Sequence, residues 1–290
     1  MRLRLDPSWL DAQYNNRARV PDHAQVLARW AEASAVARQG AAAAQLDVRY
    51  GDGDGETLDI FPADVPNAPV LVFIHGGYWR SLDKADHSFV APALNAAGAT
   101  VVVPNYALCP AVSIEHITLQ MARAVAWVWQ HAGSFGADRN RLALAGHSAG
   151  GHLATMLLCC RWRDLPDGAV ADMPAQPLAG ALSISGLYDL EPLRHTPMLQ
   201  SDLQLTPAAV ARLSPAFFPR PKAAKLYAAV GLEESDEFLH HTRLIRDVWG
   251  PTAVPVCETL PGANHFTVLN RLADPQGRLH ELALRLLGLR

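Results

Sequence analysis

The chain has 290 residues, half of them hydrophobic and 18% charged, which is enough for one large core and is unlike a disordered or fibrous protein. Its formal net charge of −3, without a basic cluster holding interleaved aromatic residues, excludes nucleic acid as an expected partner. Apolar runs are too short to cross a bilayer, and Arg2 and Arg4 have no apolar run behind them, so we expect neither a signal peptide nor a membrane anchor.

Residues 1–44 are predicted to form a helical arm over the core. Apolar side chains recur there at three- and four-residue spacing, and Gly40 is placed to end the helix. The members of this stripe are Val26, Leu27, Trp30, Ala33 and Ala37. Two alternating segments follow, 46–50 and 57–61, with a glycine-rich turn between them. They predict an antiparallel hairpin.

From residue 70 onward, continuous apolar runs alternate with helix-length segments. The predicted strands are 70–74, 100–103, 142–145, 181–184, 226–230 and 254–260. The predicted helices are 89–97, 117–132, 149–161, 237–249 and 277–287. This repetition predicts an α/β fold with a mostly parallel sheet and helices on both faces. Residues 190–221, which contain no strand run, are predicted to be a small cap on a single domain spanning 1–290.

A serine stands where one buried strand must turn into a helix. Gly146-His147-Ser148-Ala149-Gly150 follows the apolar run 141–145 and precedes a helix-like segment. Small residues on both sides allow the close approach and the strained backbone of a nucleophile elbow. Ser148 is therefore a candidate nucleophile, and it needs a base, an acid that orients the base, and donors for an oxyanion.

The base and the acid are expected on loops that follow later strands. His265 comes directly after the last strand and is the candidate base. The preceding strand is followed by four carboxylates, among which spacing alone does not choose. Ser235 is placed to cap the next helix with Asp236 in its first turn. Glu234 is favoured over Glu233, with Asp236 next and Asp189, after an earlier strand, as a more distant alternative.

A glycine pair supplies the expected oxyanion donors. Gly76 and Gly77 follow the strand 70–74, and their bare backbone can approach the site beside the amide of Ala149. His75 is expected to brace this loop, and His147 and His152 are expected to do no chemistry.

Neither a metal nor a cofactor is predicted, because no metal-ligand spacing and no dinucleotide fingerprint is present. Four cysteines without a paired spacing indicate small buried thiols in a reducing compartment, so we expect a cytoplasmic protein.

These motifs resemble a known family. They are YNNR at 14–17, HGGYW at 75–79, GHSAGGHL at 146–153, SGLYDL at 185–190 and GANHF at 262–266. The chain is similar to the kynurenine formamidase (arylformamidase) branch of the α/β-hydrolases, close to the hormone-sensitive-lipase-like esterases. The resemblance implies Ser148 as nucleophile and His265 as base, with oxyanion amides at Gly76, Gly77 and Ala149. The family usually has an aspartate where this chain has Glu234, although hydrolases of this fold use either acid.

Three functions follow as hypotheses. The first is hydrolysis of a small N-formyl aryl amine, with Tyr78, Trp79 and Tyr188 lining the substrate pocket. The second is a carboxylesterase for short acyl esters, and the third is a non-catalytic binding protein on the hydrolase fold. All three take a small-molecule ligand. The sequence is compatible with a homo-oligomer.

Overall fold

The computed structural model describes residues 5–165 and 172–290, so the predictions on Arg2, Arg4 and the start of the arm lie outside the described residues. The strands are β1 Gln45–Arg49, β2 Thr57–Phe61, β3 Ala68–Ile74, β4 Thr100–Pro104, β5 Ala137–His147, β6 Leu178–Ile184, β7 Lys225–Gly231 and β8 Val256–Leu260. The helices are α1 Pro7–Tyr14, α2 Asn16–Arg19, α3 His23–Gly40, α4 Ala91–Ala96, α5 Ile114–His131, α6 Ala149–Leu158, α7 Glu191–Arg194, α8 Pro197–Leu203, α9 Pro207–Leu213, α10 Asp236–Ala253, α11 Asn270–Ala273 and α12 Arg278–Leu286.

The eight described strands form one sheet in the order β1-β2-β4-β3-β5-β6-β7-β8. β2 pairs antiparallel with both β1 and β4, and the remaining pairs are parallel. The predicted mostly parallel sheet with an antiparallel hairpin is confirmed. Because the chain passes from β3 outward to β4 and then returns to β5 on the other side, a crevice opens at the carboxyl ends of β3 and β5.

Helices cover both faces of the sheet, and alternate strand residues face each layer. Val70 and Val72 of β3 belong to the core under α5, α6 and α10, while Leu71 and Phe73 belong to the core under α3, α4, α11 and α12. The apolar stripe of α12, which consists of Leu279, Leu282, Ala283 and Leu286, is buried in the second core. Burial of β3 on both faces explains why its sequence does not alternate.

Several element ends differ from the predicted ones for local reasons. α5 begins at Ile114 because Ser113 Oγ accepts a hydrogen bond from His116 N at 3.2 Å. α6 ends at Leu158, where Cys159 N donates to Met156 O and the last turn tightens. β8 begins at Val256 because residue 254 still closes α10 and Pro255 has no N–H to donate.

The arm and the segment predicted as a cap lie against each other. Residues 7–40 form α1, α2 and α3, and 190–221 contain α7, α8 and α9 without a strand. Met198 N in α8 donates to Asp11 Oδ1 in α1 at 3.1 Å.

Cys159, Cys160 and Cys257 are only partly buried, which differs from the prediction of buried thiols. Cys159 and Cys160 lie just beyond the end of α6. In the described residues, no helix combines the length and the apolar character that crossing a membrane requires.

Candidate active site

Ser148 lies at the sharp turn between β5 and α6. Its backbone has φ 56° and ψ −118°, a conformation that non-glycine residues seldom adopt. Strand and helix are so close that a Cβ on Gly146 would lie 2.2 Å from Gly150 O, and a Cβ on Gly150 would lie 2.0 Å from Ile74 O. Ser148 N donates to Ile184 O at 2.8 Å, which ties the turn to β6. Any side chain at Gly146 or Gly150 would overlap a backbone oxygen, so both positions require glycine.

Three buried side chains form a continuous hydrogen-bonded row. Ser148 Oγ lies 3.1 Å from His265 Nε2, and His265 Nδ1 lies 2.6 Å from Glu234 Oε2. His265 is fixed by its own backbone, because its carbonyl lies 2.8 Å from His147 Nε2. Burial holds the pKa of His147 well below the usual value, so this ring is neutral and donates its single N–H to that carbonyl.

Glu234 is held entirely by donors. Its Oε2 faces His265, while its Oε1 accepts from Ser185 Oγ at 2.5 Å and from Gly231 N at 2.8 Å. A carboxylate accepts at both oxygens, whereas an amide would present a donor at one of them. The arrangement therefore suits an ionised acid that orients the histidine.

The other predicted acids are placed differently. Glu233 and Asp236 are exposed. Asp189 Oδ1 accepts from Glu191 N at 2.9 Å in a local turn, and burial raises the pKa of its carboxyl. Ser235 occupies the N-cap position of α10 as predicted, but its hydroxyl makes no cap bond and has no partner in the described residues. Of these acids, only Glu234 is joined to the histidine in the described chain.

Ser185 is a site residue that the sequence analysis missed. It directly follows β6 with φ 53°, and its amide donates to Ala229 O at 2.7 Å. This strained backbone aims the hydroxyl at Glu234, which lies beyond the end of the neighbouring strand β7. The available signal was a serine and a glycine directly after a buried strand at the same edge of the sheet.

The glycine loop after β3 packs directly on the elbow. A Cβ on Gly76 would lie 2.8 Å from His147 O and 3.1 Å from the Cβ of Ser148. Gly77 has φ 103°, and a Cβ there would lie 2.0 Å from Ser81 O. Ala149 is the first residue of α6, so its N–H has no acceptor within the helix. The structure thus places the three predicted oxyanion residues around the serine.

His75 holds the same loop, in keeping with its predicted bracing role. Its Nδ1 lies 2.9 Å from Gly76 O, and its Nε2 lies 3.1 Å from Asn105 Oδ1. Burial lowers the pKa of His75. His152 Nε2 lies 2.7 Å from Leu213 O. Both rings are engaged in structural contacts.

Two of the three predicted pocket residues, Trp79 and Tyr188, lie in the core and do not line the cavity beside Ser148. Trp79 is fully buried, with its ring centroid 5.0 Å from that of His152. Tyr188 is also fully buried and donates its hydroxyl to Ser183 Oγ at 2.8 Å. The backbone conformation accounts for the burial of the Trp79 side chain, since Tyr78 and Trp79 both have positive φ, near 51° and 54°. Only Tyr78 of the three lines the cavity.

A cavity of about 260 Å³ opens at Ser148 and His265. Its aromatic walls are Trp30, Tyr78 and Phe266. The other lining residues are Asn15, Asn16, Arg17, Leu27, Gly77, Arg80, Ser81, Leu82, His147, Met198 and Asp202. Two of its aromatic walls thus come from the arm and from the residue after His265, and not from the positions that the sequence analysis chose.

The arm is joined to the glycine loop by hydrogen bonds. Tyr78 donates its hydroxyl to Tyr14 O at 2.7 Å and accepts from Asn16 Nδ2 at 3.4 Å. Tyr14 in turn donates to Glu237 Oε2 at 2.8 Å, in the first turn of α10.

Within the described residues, no group of three or more His, Cys, Asp or Glu side chains could hold a metal ion.

Comparison with known proteins gives a family and two kinds of relative. Residues 71–245 match a family model described as the alpha/beta hydrolase fold. A kynurenine formamidase of Danio rerio is 30% identical over 251 residues, 84% of this chain and 82% of that protein. Esterase LipC of Mycobacterium tuberculosis is 33% identical over 159 residues, 52% of this chain and 38% of that protein.

One solved structure is similar over nearly the whole length. It is a protein of Silicibacter sp. TM1040, provisionally named a thioesterase, with 32% sequence identity and a TM-score of 0.79. The match covers 93% of this chain and 97% of the other. The likeness therefore extends over most of the chain.

Proposed function

The chain belongs to the α/β-hydrolase fold family as an arylformamidase-like hydrolase of amides or esters, and from that premise we propose that it cleaves small aryl formamides through an acyl-enzyme on Ser148. One observation carries the proposal. The hydrogen-bonded row from Ser148 through His265 to Glu234 opens into a cavity with aromatic walls.

In the first step, Ser148 Oγ attacks the formyl carbonyl and His265 Nε2 takes the hydroxyl proton. Glu234 Oε2 accepts from His265 Nδ1, so Nε2 is the unprotonated nitrogen that faces the serine. The charge that develops on the carbonyl oxygen is stabilised by backbone N–H groups from the glycine loop and from Ala149, at the first turn of α6.

In the second step, the tetrahedral intermediate collapses and its C–N bond breaks. His265 gives its proton to the departing aryl amine, which leaves a formyl ester on Ser148. Water then enters, gives a proton to His265 and attacks the ester carbonyl. As the bond from the acyl carbon to Ser148 Oγ breaks, His265 returns that proton to Ser148 Oγ and formate leaves.

Amide cleavage requires a well-oriented histidine, because the amine must be protonated as it leaves. Here the orienting carboxylate lies 2.6 Å from the ring nitrogen and is itself fixed by two further donors. Trp30, Tyr78 and Phe266 provide apolar surface against which an aryl ring can pack. These features support a formamide substrate.

A carboxylesterase for short acyl esters is the second candidate. The similarity to an esterase over 159 residues favours it. The same three residues would act, but an alkoxide leaving group depends less on protonation than an amine does. The two candidates therefore differ in leaving group and share their nucleophile.

Turnover of one formamide and one ester separates the two candidate functions. Purified protein is assayed with N-formylkynurenine and with p-nitrophenyl acetate, and Ser148→Ala serves as the background. We expect both to be hydrolysed, the formamide with the higher kcat/KM. Cleavage of the ester without the formamide would overturn the formamidase proposal in favour of an esterase. A fluorophosphonate probe is expected to label the wild type and not Ser148→Ala; labelling of both at another residue would refute Ser148 as nucleophile.

A further inference from the structure

The glycine loop contains a turn whose backbone is unusual for the side chains it carries. The turn spans residues 77–80, and Arg80 N donates to Gly77 O at 3.0 Å. Both central residues, Tyr78 and Trp79, have positive φ. Turns with positive φ at both central positions normally carry Gly, Asn or Asp there, because a larger side chain is strained in this conformation. Contacts outside the turn must therefore hold it in place.

The two central residues are held by separate parts of the chain. The hydroxyl of Tyr78 donates to Tyr14 O in the arm at 2.7 Å. Trp79 has a fully buried ring, and its carbonyl accepts from Cys109 N at 2.8 Å. These contacts fix the middle of the turn and leave its closing residue to be held by its own side chain.

Arg80 attaches the closing end of the turn to α8. Its NH1 donates to Met198 O at 2.8 Å and lies 2.5 Å from Asp202 Oδ2. The side chains of Arg80 and Asp202 are 25% and 30% exposed, so this charge-assisted contact is partly shielded from water. Met198 N donates to Asp11 Oδ1 in α1, so α8 is also held by a contact outside the glycine loop.

The turn controls the direction of the candidate oxyanion donors. Gly77 is its first residue, and its carbonyl is fixed by two donors, Arg80 N and Ser81 Oγ, each at 3.0 Å. A displacement of Arg80 would release this carbonyl and allow the peptide groups on both sides of Gly77 to rotate. Oxyanion donors stabilise the transition state only when their N–H groups point at the position of the charged oxygen.

We propose that Arg80 is a positioning residue for the oxyanion hole. Its guanidinium joins the turn to α8 and thereby keeps the N–H groups of Gly76 and Gly77 directed at the oxyanion. Arg80 acts through the backbone of the turn and not through contact with the reacting carbonyl. The proposal rests on the proposed function, because it assumes attack by Ser148 on a carbonyl, and it holds for an amide and for an ester.

The test compares substrates that differ in one atom of the reacting carbonyl. p-Nitrophenyl acetate is paired with its thionoester, in which sulfur replaces the carbonyl oxygen, and formanilide is paired with thioformanilide. Sulfur is a weak hydrogen-bond acceptor, so oxyanion donors favour the oxygen compound. The quantity measured is the ratio of kcat/KM for the oxygen compound to that for the sulfur compound. A loss of folded protein lowers both values equally and leaves the ratio unchanged.

Arg80→Met should lower the ratio about tenfold, which is part of the roughly 10²- to 10³-fold effect of losing a whole oxyanion donor. KM for the oxygen compound should stay near the wild-type value, because the charge develops only in the transition state. Arg80→Lys should restore most of the ratio, since an ammonium group still donates to α8. Asp202→Asn keeps the bond from Arg80 to Met198 O and should give a smaller loss.

Arg212→Met is the matched control. Arg212 also joins the segment 190–221 to another helix, through Glu115 of α5 at 3.2 Å, and it does not line the cavity. This variant should keep the full ratio. An unchanged ratio in Arg80→Met, or an equal fall in Arg212→Met, would overturn the positioning role. If Arg80→Met shows no cooperative urea transition, the nearly isosteric Asp202→Asn decides, and an unchanged ratio in that variant counts against the proposal.

Failure of the proposed function gives a different result. The wild type would then hydrolyse neither oxygen compound, and Ser148 would not react with a fluorophosphonate. A wild-type ratio near one, with both members of a pair hydrolysed, would instead leave the hydrolase proposal standing and refute the role of Arg80.

Discussion

Replacing Glu234 by glutamine tests the proposed catalytic row at its acid, the member for which the sequence left several alternatives. The substitution preserves shape and exchanges one acceptor for an NH₂ donor. Glu234 Oε1 accepts from both Ser185 Oγ and Gly231 N, whereas Oε2 accepts only from His265. The glutamine therefore keeps its oxygen toward the two donors and turns its NH₂ group toward His265 Nδ1.

That orientation forces the histidine into the wrong tautomer. Nδ1 must then accept, so the ring proton moves to Nε2, the nitrogen that lies 3.1 Å from Ser148 Oγ. A protonated Nε2 cannot take the serine proton. We expect kcat to fall about 10³- to 10⁴-fold, or about 4 to 5 kcal/mol of transition-state stabilisation, as for the equivalent change in other serine hydrolases.

The assay is steady-state hydrolysis of the better substrate, with the urea midpoint of each variant measured alongside. Glu233→Gln and Asp236→Asn are matched controls, since both remove one negative charge from an exposed neighbour in the same segment. Each should retain near wild-type kcat. Nearly full activity in Glu234→Gln, or a larger loss in either control, would refute Glu234 as the orienting acid.

Three further predictions follow from contacts around this row. Ser185→Ala removes the 2.5 Å bond to Glu234 and should lower kcat about tenfold at constant KM, and an unchanged kcat would contradict a positioning role. Gly76→Ala brings a Cβ to 2.8 Å from His147 O and should lower kcat about 100-fold by displacing an oxyanion donor; retained activity would exclude that donor. Burial lowers the pKa of His241 to about 3 from 6.5, so the unfolded chain binds the extra proton first as pH falls. This group alone should lower the free energy of unfolding in urea by about 2 kcal/mol from pH 7 to pH 5, and a constant value would refute the assignment.

The sheet was predictable because burial on both faces leaves an uninterrupted apolar run. The residues of β3 and β4 are all buried, and their sequences contain no alternation. The ends of elements were less predictable, since they depend on single contacts such as the Ser113 cap of α5. The order of the strands was not readable from periodicity, which reports how a segment is buried and not which segment lies beside it.

Within the candidate site, sequence order and element ends located the serine, the histidine and the acid that the structure joins. The pocket could not be located in this way. Trp79 follows Tyr78 in a loop where both have positive φ, and this backbone turns one ring to the cavity and the other into the core. Ser185 was missed for a related reason, since its contact with Glu234 joins residues 49 positions apart.

The reacting groups and the cavity walls are held by different parts of the fold. Ser148, Glu234 and His265 each follow a strand of one sheet, so the register of β5, β7 and β8 sets their separation. The wall formed by α2 is joined to the glycine loop through Tyr78, and the arm is joined to α8 through Met198 N and Asp11 Oδ1. Helices that are joined to one another by side-chain contacts deform at lower cost than hydrogen-bonded strands within one sheet. Substitutions in the arm should therefore change which substrate is preferred before they change whether Ser148 reacts.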